Sequence, residues 1–143
     1  MAEILHVDAS NAVVGRLASF VAKQALLGRR VNVFNCEAAI ISGNPQYTFD
    51  RYHHFIADTG QPFRGPYYPR LADRFVRRMI RGMVPFRQAR GQEAFDRIMC
   101  YIGVPVKFKD VKLQKVGGAD SAQLATVKRI TIKDLIYKLG GRL

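Results

Sequence analysis

The sequence has no tryptophan, only two cysteines, and eleven acidic residues against twenty-three basic ones. Cys36 and Cys100 each sit inside an apolar, strand-like run. That excludes a disulfide-rich secreted scaffold and reads as two small buried hydrophobes in a reducing compartment. No apolar run approaches the ~20 residues that span a bilayer. The opening stretch MAEILHVDAS carries Glu3 and no basic segment, unlike a secretory leader. The expected location is therefore cytoplasmic, with no membrane partner.

Catalytic patterns are also missing. His53 and His54 are adjacent and point in different directions, and no cysteine or carboxylate spacing turns them into a metal site. Neither GxGxxG nor GxxxxGK[ST] occurs, so no nucleotide cofactor is expected. Ser19 and Ser42 lie in no nucleophile elbow, Cys36 has no evident base partner, and no carboxylate pair has a legible catalytic role. The residues support no enzyme activity, no cofactor and no small-molecule substrate.

What is abundant is positive charge, and it is localised. Of the formal net charge of +12, the stretch Arg64 to Gly91 carries +7. Its cations are all arginine (Arg64, Arg70, Arg74, Arg77, Arg78, Arg81, Arg87 and Arg90), opposed by Asp73 alone. Residues 1–63 sum to zero and residues 92–143 supply the rest. Arginine meets phosphate through a bidentate fork and stacks on bases, whereas lysine is a point charge. With a pI near 10.2, the pattern is the electrostatic footprint of nucleic-acid binding.

The middle of that stretch has helical spacing. Leu71, Phe75, Met79 and Met83, with Ala72, Val76, Ile80 and Val84 beside them, fill one broad arc at ~100° per residue. Arg74, Arg77, Arg78 and Arg81 fill the remainder. Pro69 and Pro85 mark the ends. Like charges three and four residues apart repel, so a polyanion is the expected compensation. An anionic membrane also suits a basic amphipathic helix, but this apolar arc lacks Trp and is broad enough to be needed by a core. Arg64, Arg87 and Arg90 flank the helix in Gly/Pro-rich sequence that lets backbone approach phosphates. Tyr67 and Tyr68 either stack on unpaired bases or pack against the domain.

Around this stretch the chain reads as one α/β domain over residues 1–143, with 48% apolar residues to build a core. Ile4–Val7 is a strand. Ser10 or Asn11 is positioned to cap a helix carrying Val14, Leu17, Ala18, Val21 and Ala25, and Gly28 stops it. Val31–Cys36 is a second strand, giving a βαβ unit with a parallel pair. Gly15 and Arg16 offer backbone N–H groups and a cation at that helix start; an ordinary first turn with a surface arginine is equally compatible. Ala38–Ile41 is a further apolar run, and 48–56 fits either helix or extended chain. Ile98–Ile102 reads as a buried strand. Residues 104–128 form a basic surface excursion, and Thr131 with Asp134 has capping-box spacing for a last helix through Leu139.

Four motifs, in order, resemble one family. They are DASNAVVGRLAS (Asp8–Ser19), VNVFNCEAAIISGN (Val31–Asn44), RFVRRMIRGMVPFRQARG (Arg74–Gly91) and the closing ITIKDLIYKLGG. Together they resemble the universal large-subunit ribosomal protein thirteen family in its archaeal and eukaryotic form. The resemblance implies a three-layer α/β/α sandwich around a small parallel sheet of about four strands, with basic extensions. It also implies a structural and assembly role in the large ribosomal subunit, with large-subunit rRNA and neighbouring ribosomal proteins as partners and no enzymatic activity. The expected RNA-binding residues are Arg16, Arg64, Tyr67, Arg70, Arg74, Arg77, Arg78, Arg81, Arg87 and Arg90. The rival from another class is an RNA-modifying α/β enzyme with a basic docking helix, although no cofactor loop or catalytic pair is legible. A free-standing DNA-binding module would need a helix-turn-helix or zinc pattern, and neither occurs.

Overall fold

The computed structural model describes residues 3–58, 60–61 and 63–143. In chain order its strands and helices are β1 Ile4–Asp8, α1 Val14–Leu26, β2 Arg30–Phe34, β3 Ile40–Ser42, α2 Pro45–His53, α3 Ala72–Arg81, α4 Ala89–Asp96, β4 Ile98–Cys100, β5 Gln114–Lys115, β6 Arg129–Thr131 and α5 Ile132–Lys138. The main sheet runs β4-β2-β1-β5, and every pairing in it is parallel. This is the α/β class with a four-stranded parallel sheet that the sequence implies. β3 lies outside it and pairs antiparallel with β6.

Register decides which face each side chain takes. Val7 lies opposite Val33, and Val31 opposite Ile98. These four are fully buried, in one core with Leu17 and Val21 of α1, Phe75 and Ile80 of α3, Ala94 of α4 and Leu135 of α5. The alternate residues His6, Asn32 and Met99 line up on the opposite face. There Phe34 is fully buried against rings rather than aliphatic chains. Its neighbours are Phe108 at 5.2 Å, Tyr101 at 5.3 Å and His6 at 5.9 Å between centroids. Phe108 arrives on a short 3₁₀ turn, Val106–Phe108.

Several local expectations change. Neither Ser10 nor Asn11 caps α1. The Asp8 carboxylate accepts from both the N–H and the hydroxyl of Ser10, at 3.0 and 2.7 Å, an Asx-type turn. Asn11 then takes a left-handed φ of 57°, and the helix begins after Val13 with no side-chain cap. The segment left open as helix or extended chain is helical: α2, capped by the Asn44 side chain, followed by one π-helical turn, His54–Asp58. The strand expected over Ile98–Ile102 stops at Cys100, and Gly103 soon turns the chain at φ 61°. The basic excursion is mostly exposed, yet Gln114–Lys115 pairs with Val7–Asp8 of β1. That contact covers backbone groups which an edge strand would leave unpaired. The closing helix is as read: Thr131 Oγ1 accepts from the Asp134 N–H at 3.1 Å and donates to its carboxylate at 2.8 Å.

The Cys36 thiol stays protonated. Cys36 is held well above the ordinary thiol range by its neighbour Cys100 and by burial. Both are free and buried, as expected for small hydrophobes.

Candidate nucleic-acid interface

α3 is shorter than its apolar pattern. It ends at Arg81, with Gly82 as cap, although the periodicity continues to Val84. Pro85 explains the early stop, because its ring clashes with the carbonyl four residues earlier, that of Arg81, in any continued helix. The buried face is Ala72, Phe75, Val76 and Ile80. Leu71 and Met83, read as part of the apolar arc, are 37% and 43% exposed because they lie beyond the helix ends. Asp73 sits in the first turn and Arg78 and Arg81 in the last, so the charges suit the helix dipole.

The four arginines of α3 are not equivalent. Arg77 lies over Phe95, its guanidinium carbon 4.1 Å from the ring centroid. It donates through Nε to the Ile98 carbonyl at 3.1 Å and, more weakly, through Nη2 to the Phe95 carbonyl at 3.4 Å. Arg78 lies over Tyr68 at 4.2 Å and donates to the Tyr67 carbonyl at 2.9 Å. Arg81 lies over Phe86 at 4.1 Å. Phe86 meets Phe95 edge to face at 5.3 Å, so the rings beneath Arg77 and Arg81 brace one another. Arg74 is exposed, and among the described residues its guanidinium has no hydrogen bond, ion pair or ring contact. Burial raises the Tyr68 phenol, with Arg78 and Arg51 opposing. Tyr68 is therefore a neutral platform at physiological pH, and its contact with Arg78 is cation–π rather than ionic.

Among the described residues, ion pairs join Arg29 to Glu3 and Arg97 to Glu93, and His54 Nδ1 lies 3.5 Å from the Asp58 carboxylate. None involves α3. Its cations therefore remain uncompensated by the chain's own acids. They line two adjoining grooves: Pro69, Arg74, Arg77, Arg78, Arg81 and Phe95 bound one, and Arg78, Arg81, Gly82, Phe86 and Arg87 the other.

The remaining candidates are dispersed. Arg64, Arg70, Arg87 and Arg90 are exposed. Arg90 borders a third groove with Lys23 and Met83. Arg16 donates to the Gly118 carbonyl at 3.0 Å and lines neither arginine groove. Tyr67 is 68% exposed, whereas Tyr68 is half-buried against Tyr52, Phe55 and Phe75. Of the two options open for this pair, Tyr68 takes the second and packs against the domain. Sequence reading missed Tyr68, Phe86 and Phe95 as supports for the arginines.

A family model described as Ribosomal protein L13 matches residues 2–107. The chain belongs to the ribosomal protein L13 family. The large ribosomal subunit protein uL13 of Methanococcoides burtonii is 40% identical over 136 residues, covering 95% of this chain and 97% of its own. The uL13 of Methanococcus maripaludis is 44% identical over 140 residues, with 95% and 97% covered, and that of Halobacterium salinarum 38% over 135 residues, with 94% and 90% covered. The L13 match includes all of α3 and both arginine grooves. No helix among the described residues is long and apolar enough to cross a membrane.

Proposed function

We propose that α3 and its flanking turns are the surface through which the chain grips large-subunit rRNA. Family membership makes this a structural protein of the large ribosomal subunit. It also sets aside the alternative of an RNA-modifying enzyme with a basic docking helix. The observation that carries the RNA assignment is the fixing of Arg77, Arg78 and Arg81 on aromatic rings with no carboxylate partner. Guanidiniums held in place before binding lose less side-chain entropy on meeting phosphate.

In this reading residues 1–143 act as one unit. Arg74, Arg77, Arg78, Arg81 and Arg87 meet RNA directly, Arg77 from the groove wall, and Arg64, Arg70, Arg90 and Tyr67 widen the contact. Arg16 and the 104–128 segment form a second, weaker patch. Neighbouring large-subunit proteins contact surfaces away from α3. Each neutralised phosphate releases counterions, so binding weakens steeply with salt. The test is a charge-preserving Arg→Lys series at positions 74, 78, 81 and 87, with affinity for a large-subunit rRNA fragment as the readout. Weakened binding at constant charge supports fork and stacking geometry. Unchanged binding reduces the surface to bulk charge.

A further inference from the structure

Resting on that RNA reading, we propose that the groove of Pro69, Arg74, Arg77, Arg78, Arg81 and Phe95 seats one unpaired nucleotide, its base against guanidinium planes and its phosphate on Arg74. The groove is about 410 Å³, inside the ~300–1,000 Å³ that accepts a single small organic group. A duplex keeps its base faces stacked inside and offers phosphates, 2′-hydroxyls and base edges. A concave seat suits a nucleotide splayed from a loop, bulge or single strand.

The orientation of the arginines carries the inference. A guanidinium grips phosphate through its edge and a base through its face. The edge of Arg77 is partly turned inward, with Nε on the Ile98 carbonyl and Nη2 towards the Phe95 carbonyl. Arg78 gives one edge donor to the Tyr67 carbonyl. Both hold the guanidinium carbon over a ring, at 4.1 and 4.2 Å from its centroid, and both line the groove, so the side turned away from the ring offers a cationic platform for a base. Arg74 differs: it is exposed on the same groove with its edge donors uncommitted among the described residues. Arg81 is shared with the adjoining groove, where Arg87 stands ready for the next phosphate along the strand.

The test uses the full chain and three fluorescent probes of equal length at one salt concentration: a single-stranded RNA, the same ribose-phosphate strand lacking its bases, and an RNA duplex. The base-bearing strand is expected to bind at least ~10-fold tighter than the abasic one, within the range of a single base stack. Phe95→Leu, which removes the ring behind Arg77, should collapse that ratio towards one. Thermal denaturation checks that this variant is folded, and Arg77→Lys, which keeps the charge without the plane, replaces it if it is not. Arg74→Ala should weaken both strands together. Equal affinity for the base-bearing and abasic strands, or tighter binding of the duplex, overturns the nucleotide seat while leaving RNA binding intact. Absence of salt-sensitive binding to all three probes overturns the seat together with its premise.

Discussion

Arginine side chains that look alike in the sequence do different physical work. Arg77 satisfies backbone carbonyls at Phe95 and Ile98, where α4 gives way to β4. Hydrogen bonds from a charged donor contribute ~1.5–3 kcal/mol each, and partial exposure puts Arg77 at the low end. Arg77→Ala should therefore destabilise the fold by about 1–2 kcal/mol, read as a lower urea midpoint. Arg74→Ala should leave stability within ~0.5 kcal/mol and weaken RNA binding instead. Helical periodicity put both on one polar face and could not separate them, because the carbonyls that engage Arg77 lie eighteen and twenty-one residues away. Asp8 gives a second prediction. Burial raises its carboxyl, but hydrogen bonds from Asn35 and Ser10 and the charge of Lys115 outweigh this and hold it below the ordinary 3.8. A carboxyl depressed in the folded state stabilises above its unfolded value and loses that contribution as pH falls through the folded one. The stability gap between the native chain and Asp8→Asn should be constant near neutrality and shrink below about pH 4, measured by denaturant titration across pH.

Elements with strong period were legible. α3, α5 and the β1-α1-β2 unit follow from apolar spacing, and the Thr131–Asp134 box was visible from two residues. The β3–β6 pair was not, because its strands are three residues each and meet only through the tertiary fold. Nor was the aromatic cluster around Phe34, assembled from β1, β2 and the segment after β4. Phe34→Ala should cost about 3–5 kcal/mol, as much as a substitution in the aliphatic core, by equilibrium unfolding. Glycines separate by what surrounds them. A β-carbon at Gly91 would collide with the Pro85 carbonyl, so Gly91 is what lets α4 approach the turn that follows α3. Gly91→Ala should destabilise by about 1–3 kcal/mol. At Gly15, in the first turn of α1, nothing lies within 4 Å of an added β-carbon. Gly15→Ala should stabilise by up to ~1 kcal/mol, and paired melting curves would display the opposite signs.

Across the whole molecule, charge and packing meet on α3. Its buried face joins α1, the sheet and α5 in one core, so the arginine face is carried on a rigid body. Localised charge was readable from the sequence, and so was its amphipathic support. The grooves were not, since their ring walls are Phe86 and Phe95 and Arg78 rests on Tyr68, rings brought together from the chain entering α3, the turn after it and α4. RNA is expected to cover this face in the large subunit. Arginine-specific dicarbonyl labelling tests it most directly, comparing the free chain with native large subunits and reading modified peptides by mass spectrometry. Arg74, Arg81 and Arg87 should react in the free chain and be protected in the subunit, with protection lost after ribonuclease digestion. Equal reactivity of these three in both states, or protection that survives complete removal of RNA, would contradict an RNA-covered arginine face.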